Sequence, residues 1–236
     1  MITYLKIFLI SIHTLICSII GLIFIFIDKS FTLYHYLAKV FPLGILIISG
    51  IRVKITGLEN IDRKAVYVFA SNHSSQIDIT ALQWGVPNRL SMIFKKELAR
   101  IPFFGWQLYL GPYVVVDRKD PQTAIKSLKK AKKVMDEKKI SVLVFPEGTR
   151  SKTGEVQSFK RGAFYLASHS GYPIVPITVN GTNKIMPKGS FRLKSGTIYL
   201  HFDKPIPTDN IKTKQDELAL MEKVREIIIS NKKEYN

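Results

Sequence analysis

The sequence predicts an α/β fold: a mostly parallel central sheet with helices on both faces, preceded by an N-terminal membrane-associated helical hairpin. Three observations carry that expectation. Six short runs rich in β-branched and aromatic residues are spread over residues 65–202 and bounded by turn residues. Helical patterns fall between and after them, and strands alternating with helices imply a parallel sheet covered on both sides. The first fifty residues hold two long apolar segments.

The first segment, Ile7 to Ile27, is interrupted only by Ser11, His13, Thr14, Ser18 and Gly21. As a helix it is about 30 Å long, the thickness of a bilayer's hydrocarbon core. A cleaved signal peptide fits less well, because Lys6 alone supplies the positive flank and no small-residue cleavage site follows. Asp28-Lys29-Ser30 reads as a polar turn. The second segment, Phe31 to Ile51, carries His35, Lys39 and Pro42, so it either spans or lies in the interface with Tyr34, Tyr36 and Lys39 at headgroup level. Arg52 and Lys54 follow directly, and positive charge beside a membrane helix marks the cytoplasmic side. The chain thus divides into an anchor, residues 1–52, and a domain, residues 53–236, whose chemistry-bearing core is about 60–185.

In that domain the strand candidates are Ala65–Ala70, Leu90–Phe94, Tyr113–Val116, Ser141–Phe145, Ile174–Val179 and Thr197–Phe202. Between the third and fourth, Asp120 offers an N-cap and Pro121 an N1 residue. Ile125, Leu128, Ala131 and Met135 then repeat at helical spacing. A final helix runs from about Gln215 to Ser230, with Leu218, Met221, Val224 and Ile228 on one face.

Net charge is +17, of which residues 1–50 carry +2 (Lys6, Lys29 and Lys39 against Asp28), leaving +15 on the domain. Such a domain seeks anionic partners: a membrane surface, an acidic substrate carrier, or nucleic acid. Cys17 is the single cysteine, so neither an internal disulfide nor a thiolate zinc site can form. No Cys, His and carboxylate cluster suggests a metal.

The chemistry concentrates in loops at strand ends. Ser71-Asn72-His73-Ser74-Ser75-Gln76-Ile77-Asp78 follows the first strand, and active sites of open α/β sheets lie at such carboxyl ends. If the loop turns into a helix, Asp78 can meet one imidazole nitrogen of His73 and leave the other as a base. Ser74 or Ser75 is a rival nucleophile beside that histidine. Phe145-Pro146-Glu147-Gly148-Thr149-Arg150 follows another strand, and Arg150 has the fork that grips a phosphate. Arg118, Lys95, Lys96, Lys160 and Arg161 are nearby cations. Several cations around one histidine describe a site for a phosphate-bearing substrate.

Read together, His73 to Asp78, Lys96-Glu97-Leu98 with Ile101-Pro102 and Gly105-Trp106, Asp117-Arg118, Phe145 to Arg150, and Tyr172-Pro173-Ile174-Val175-Pro176 resemble the glycerolipid acyltransferases of the 1-acyl-sn-glycerol-3-phosphate type. The resemblance covers about residues 60–185. One departure is Tyr113-Val114-Val115-Val116, which lacks a phenylalanine usual there. The resemblance implies that His73 is the general base, Asp78 its orienter, and Arg118 and Arg150 the grip on glycerol phosphate. Asn72, Lys96, Glu147, Gly148, Thr149 and Lys160 are then further substrate contacts. It implies transfer of an acyl group from a thioester of coenzyme A or acyl carrier protein to the free hydroxyl of lysophosphatidic acid, with no cofactor and no nucleic acid partner. The setting implied is the cell (inner) membrane, with the domain facing the cytoplasm against anionic lipids. Other acceptors (glycerol 3-phosphate, another lysolipid), a lipid hydrolase or thioesterase using water, and a non-catalytic basic module are the alternatives.

Overall fold

A computed structural model describes residues 2–116 and 121–233. The N-terminal pair is α1 (Ile2–Ile27) and α2 (Thr32–Ser49). Asp28 makes the turn: one carboxylate oxygen accepts the Ser30 N–H at 2.8 Å and the other the Leu33 N–H at 2.9 Å, serving an otherwise orphaned donor at the start of α2. Both helices are long and apolar enough to cross a membrane. The pair nevertheless lies along the domain, α1 against α4 (Phe104–Leu110) and α2 against α3 (Ile77–Gly85). It is fastened at several points. Lys6 Nζ donates to the Ser49 carbonyl at 2.7 Å and to Ser195 Oγ at 2.9 Å, Lys39 Nζ to the Gln83 carbonyl at 2.8 Å, and Arg89 to the Ser30 carbonyl.

The outward side keeps its apolar residues exposed. Phe8, Ile12, Ile16, Ile23 and Phe26 of α1, Val40 and Ile47 of α2, and Trp106 and Tyr109 of α4 all face out. An uncovered apolar area of this kind marks a membrane or partner surface.

Seven strands form one sheet in the order β1-β7-β6-β2-β5-β3-β4. They are β1 (Ile51–Thr56), β2 (Val68–Ser71), β3 (Leu90–Lys95), β4 (Val114–Val116), β5 (Ser141–Val144), β6 (Ile174–Asn180) and β7 (Gly196–Phe202). Only the β6–β7 pairing is antiparallel. The sheet is therefore mostly parallel, as the alternation of strands and helices required. The strand β1 lies where the sequence suggested only a basic flank. Its Ile-Arg-Val-Lys-Ile-Thr alternation pairs with β7 in parallel, so the sheet begins at Ile51, two residues before the expected domain start.

Adjacent residues of β2 point to opposite faces of the sheet. Phe69 joins a core with α3 and the hairpin. Val68 and Ala70 join a second core with α5 (Pro121–Lys138), α6 (Gly162–Ser170) and α8 (Lys214–Lys233). Phe69, Phe164 and Phe202 are among the fully buried side chains that anchor the two layers. The connection after β2 leaves to one face as α3, and that after β5 leaves to the other as α6. Neighbouring strands with diverging connections open a crevice at their carboxyl ends. The His73 loop and the Glu147–Arg150 loop occupy it.

Candidate active site

Residues 72–78 form a tight turn into α3. Asp78, wholly buried in the first turn of that helix, accepts three hydrogen bonds on one oxygen. The donors are the Ser74 N–H at 2.7 Å, the Ser75 N–H at 2.8 Å and His73 Nδ1 at 2.9 Å. Two backbone donors thus place the carboxylate, and the carboxylate places the ring. With Nδ1 engaged, Nε2 is the nitrogen left for chemistry. The imidazole also stacks on Phe145, ring centroids 3.9 Å apart and planes within 17°.

The second loop clamps the first by its backbone. The His73 N–H donates to Glu147 Oε1 at 2.7 Å, and the Ser151 N–H donates to the His73 carbonyl at 2.7 Å. The other Glu147 oxygen accepts the Gln157 side-chain amide at 2.9 Å and its backbone N–H at 3.3 Å. Burial pushes the Glu147 carboxyl above its ordinary value, and these hydrogen bonds only partly offset that. Gly148 turns the loop at φ 70°, and a Cβ there would meet the Lys160 side chain at 3.1 Å.

These contacts redistribute the expected substrate residues. Asn72 is 2% exposed, and its amide is committed to β6 in both directions. Its Nδ2 donates to the Val179 carbonyl at 2.9 Å and its Oδ1 accepts the Val179 N–H at 2.8 Å. Asn72 and Glu147 are therefore braces of the loops rather than groups turned to a substrate. Lys96 lies in an exposed 3₁₀ turn and lines a separate groove with Arg100, Trp106 and Tyr109. Its neighbour Lys95 lines the His73 cavity, a consequence of side chains alternating at the end of β3. Thr149 is exposed, Arg150 half-buried, and Lys160 exposed above Gly148. Lys188, which no sequence motif marks, ties this rim by donating to Thr149 Oγ1 at 3.2 Å and to the Arg150 carbonyl. Arg118, with Asp117 and Asp120, lies outside the described residues.

Below the histidine is a cavity of about 290 Å³. His73, Thr80, Met92, Phe94, Leu143 and Phe145 of the domain line it together with Cys17, Leu37, Phe41 and Ile45 of the hairpin. The hairpin is thus part of the site's wall. An imidazole lining a mostly apolar cavity that also takes in Lys95, next to a loop that carries Arg150, suits a substrate with a polar anionic head and an apolar tail. The two serines beside His73 have other partners: Ser75 Oγ donates to the Met186 carbonyl at 2.6 Å, and Ser74 Oγ pairs with Thr182 Oγ1 at 3.1 Å.

Residues 52–180, over half of the chain, match the family model described as Acyltransferase. A 1-acyl-sn-glycerol-3-phosphate acyltransferase of Limnanthes douglasii is 39% identical over 69% of this chain and 57% of its own length. One from Saccharomyces cerevisiae is 34% identical over 94% of this chain and 71% of its own. The chain spans little more than half the length of several curated relatives it matches. The crystal structure of the 1-acyl-sn-glycerophosphate acyltransferase from Thermotoga maritima superposes with a TM-score of 0.82, covering 98% of this chain and 92% of that one at 23% identity. That likeness concerns the fold.

Proposed function

We propose, for a chain that belongs to the acyltransferase family, that it moves an acyl group from a thioester to the free hydroxyl of lysophosphatidic acid, giving phosphatidic acid. The observation that carries the reading is the buried His73–Asp78 pair at 2.9 Å, whose imidazole lines a mostly apolar cavity that also takes in Lys95. His73 Nε2 takes the hydroxyl proton as the oxygen attacks the thioester carbonyl. The new C–O bond forms, the C–S bond breaks, and the imidazolium returns the proton to the departing thiolate. Asp78 holds the tautomer and balances the imidazolium charge. Such assistance is worth roughly 10²–10⁴ in rate, and holding both substrates in register adds to it. Arg150 and Lys160, with Arg118, grip the phosphate, which fixes the hydroxyl relative to Nε2. The occupied hydroxyls of Ser74 and Ser75 support direct transfer over an acyl-serine.

The acyl chain lies in the cavity shared with the hairpin. The hairpin itself rests in one leaflet of the cell membrane, its exposed apolar side toward lipid and the basic domain at the anionic cytoplasmic surface. Its fastening along α3 and α4 supports lying over crossing. The donor is the thioester of coenzyme A or of acyl carrier protein, both anionic and suited to a +17 chain.

The test uses purified full-length protein in vesicles with each radiolabelled donor and a panel of lysophosphatidic acid, glycerol 3-phosphate and lysophosphatidylcholine. Phosphatidic acid is the expected main product, formed roughly 10²–10⁴ times more slowly by His73→Ala. Equal product from both proteins refutes the role of His73, and a different preferred acceptor refutes the substrate.

A further inference from the structure

Lys232 is a buried lysine, 7% exposed. Removing an ammonium from water is costly unless nearby groups compensate it. It sits near the end of α8, more than fifty residues beyond the last motif, and its Nζ donates to Asn180 Oδ1 at 3.4 Å. Asn180 serves Lys232 while its own Nδ2 stays buried without a partner among the described residues.

Asn180 closes β6, the neighbour of β2, whose carboxyl end carries the His73 loop. The preceding Val179 is bound both ways to Asn72, and Thr182, just beyond, pairs with Ser74. The preceding helical residue, Asn231, donates to Asp203 Oδ2 at 2.7 Å and so fixes the end of α8 on the sheet. Lys232 is thereby held within electrostatic reach of Glu155, of Asp78 on α3, of Glu147 after β5, and of Lys184 on the short α7 (Thr182–Ile185). Asp78 and Glu147 are the two buried carboxylates that hold His73, one through its ring and one through its backbone.

We propose that Lys232 is a positioning residue of the reaction: α8 delivers its ammonium beside the His73 loop, where it balances the buried Asp78 and Glu147 carboxylates and sets the field in which His73 works. This rests on His73 being the base. Burial depresses the Lys232 ammonium, the carboxylates of Glu155, Asp78 and Glu147 oppose that depression, and Lys184 adds to it. The reciprocal effect on the site is the consequence of interest. By general electrostatics a positive charge behind the loop disfavours a second one on the imidazole, so its loss is expected to move the acidic limb of the pH–rate profile upward.

Rates of phosphatidic acid formation by wild type, Lys232→Met, Lys232→Arg and His73→Ala are measured from pH 5 to 9 on full-length protein in vesicles. In Lys232→Met the acidic limb of kcat rises by about half to one pH unit, the size expected of one charge at an effective dielectric constant of about 20 or more. Its KM for lysophosphatidic acid stays within about twofold of wild type, and Lys232→Arg restores the limb. A lower rate with an unmoved limb assigns Lys232 a structural role only and overturns the proposal, as does Lys232→Arg behaving like Lys232→Met. If Lys232→Met does not fold, Lys232→Gln is read in the same way. If neither folds, the ammonium is a requirement of folding and the positioning assignment fails. Should His73→Ala keep wild-type activity, the reading of His73 falls instead, which separates the two failures.

Discussion

The His73 loop and the outer side of the hairpin are specified by opposite means. In the loop, residues 71–75 are all buried and are placed by directed hydrogen bonds of fixed partner: Asp78 to three donors, Glu147 to the His73 N–H, Asn72 to Val179. On the outer side of α1, no directed bond selects Phe8, Ile12 or Ile19; they are exposed and share only hydropathy. Directed bonds fail singly, because a lost partner leaves a buried polar group unsatisfied at about 1–3 kcal/mol. A hydrophobic surface fails by area, each large side chain being worth about 1.5–3 kcal/mol when buried. Chemistry and lipid attachment are thus separable in this molecule, even though the hairpin also walls the cavity.

Breaking the directed side gives the largest effect. Asp78→Asn can keep one oxygen acceptor for Ser74, Ser75 and Nδ1 but loses the negative charge that balances the imidazolium, so kcat falls roughly 10²–10⁴-fold with vesicle binding unchanged. A rate within threefold of wild type would show that the charge of the carboxylate does not assist His73. Breaking the other side is smaller and lands elsewhere. Phe8, Ile12 and Ile19 replaced together by aspartate should weaken vesicle binding by about 10²-fold or more, while kcat on detergent-dispersed acceptor stays within about twofold. Unchanged flotation with vesicles would remove α1 from the membrane contact.

The smallest effect sharpens the comparison within the loop itself. Burial raises the folded-state value of Glu147 above its unfolded value, so the folded protein binds the proton more tightly. That contribution loses stability as pH rises from about 4.5 through the raised value. Glu147→Gln has no such titration but loses an acceptor for Gln157. Its Tm deficit relative to wild type is therefore expected to narrow from pH 4 to pH 7, and a deficit that widens would contradict the sign.

Much of this was legible in the chain because it is local. Val-rich runs become strands where they fall, and the five-residue step from His73 to Asp78 closes once α3 starts at Ile77. Less legible was the direction in which a polar motif residue turns. Asn72 and Glu147 stand among site residues, yet their side chains are consumed by Val179, His73 and Gln157, partners up to 107 positions away. Lys95 and Lys96 differ by one position, and only the last residue of β3 settles which one reaches the cavity. The strand β1 was hidden because its Arg52 and Lys54 alternate with apolar residues at a membrane helix end, where charge has another meaning. Lys232 had no local signature, its partner Asn180 lying 52 residues earlier.

The central claim is that the acyl group passes to a lipid hydroxyl held beside His73. Thioester cleavage by the vesicle-bound protein, followed with a radiolabelled acyl chain in the presence and absence of lysophosphatidic acid, tests this most directly. Cleavage that depends on the acceptor, with the label recovered in phosphatidic acid, is the predicted result. Equal cleavage without acceptor, with the label released as free fatty acid, would make the protein a hydrolase and contradict the account.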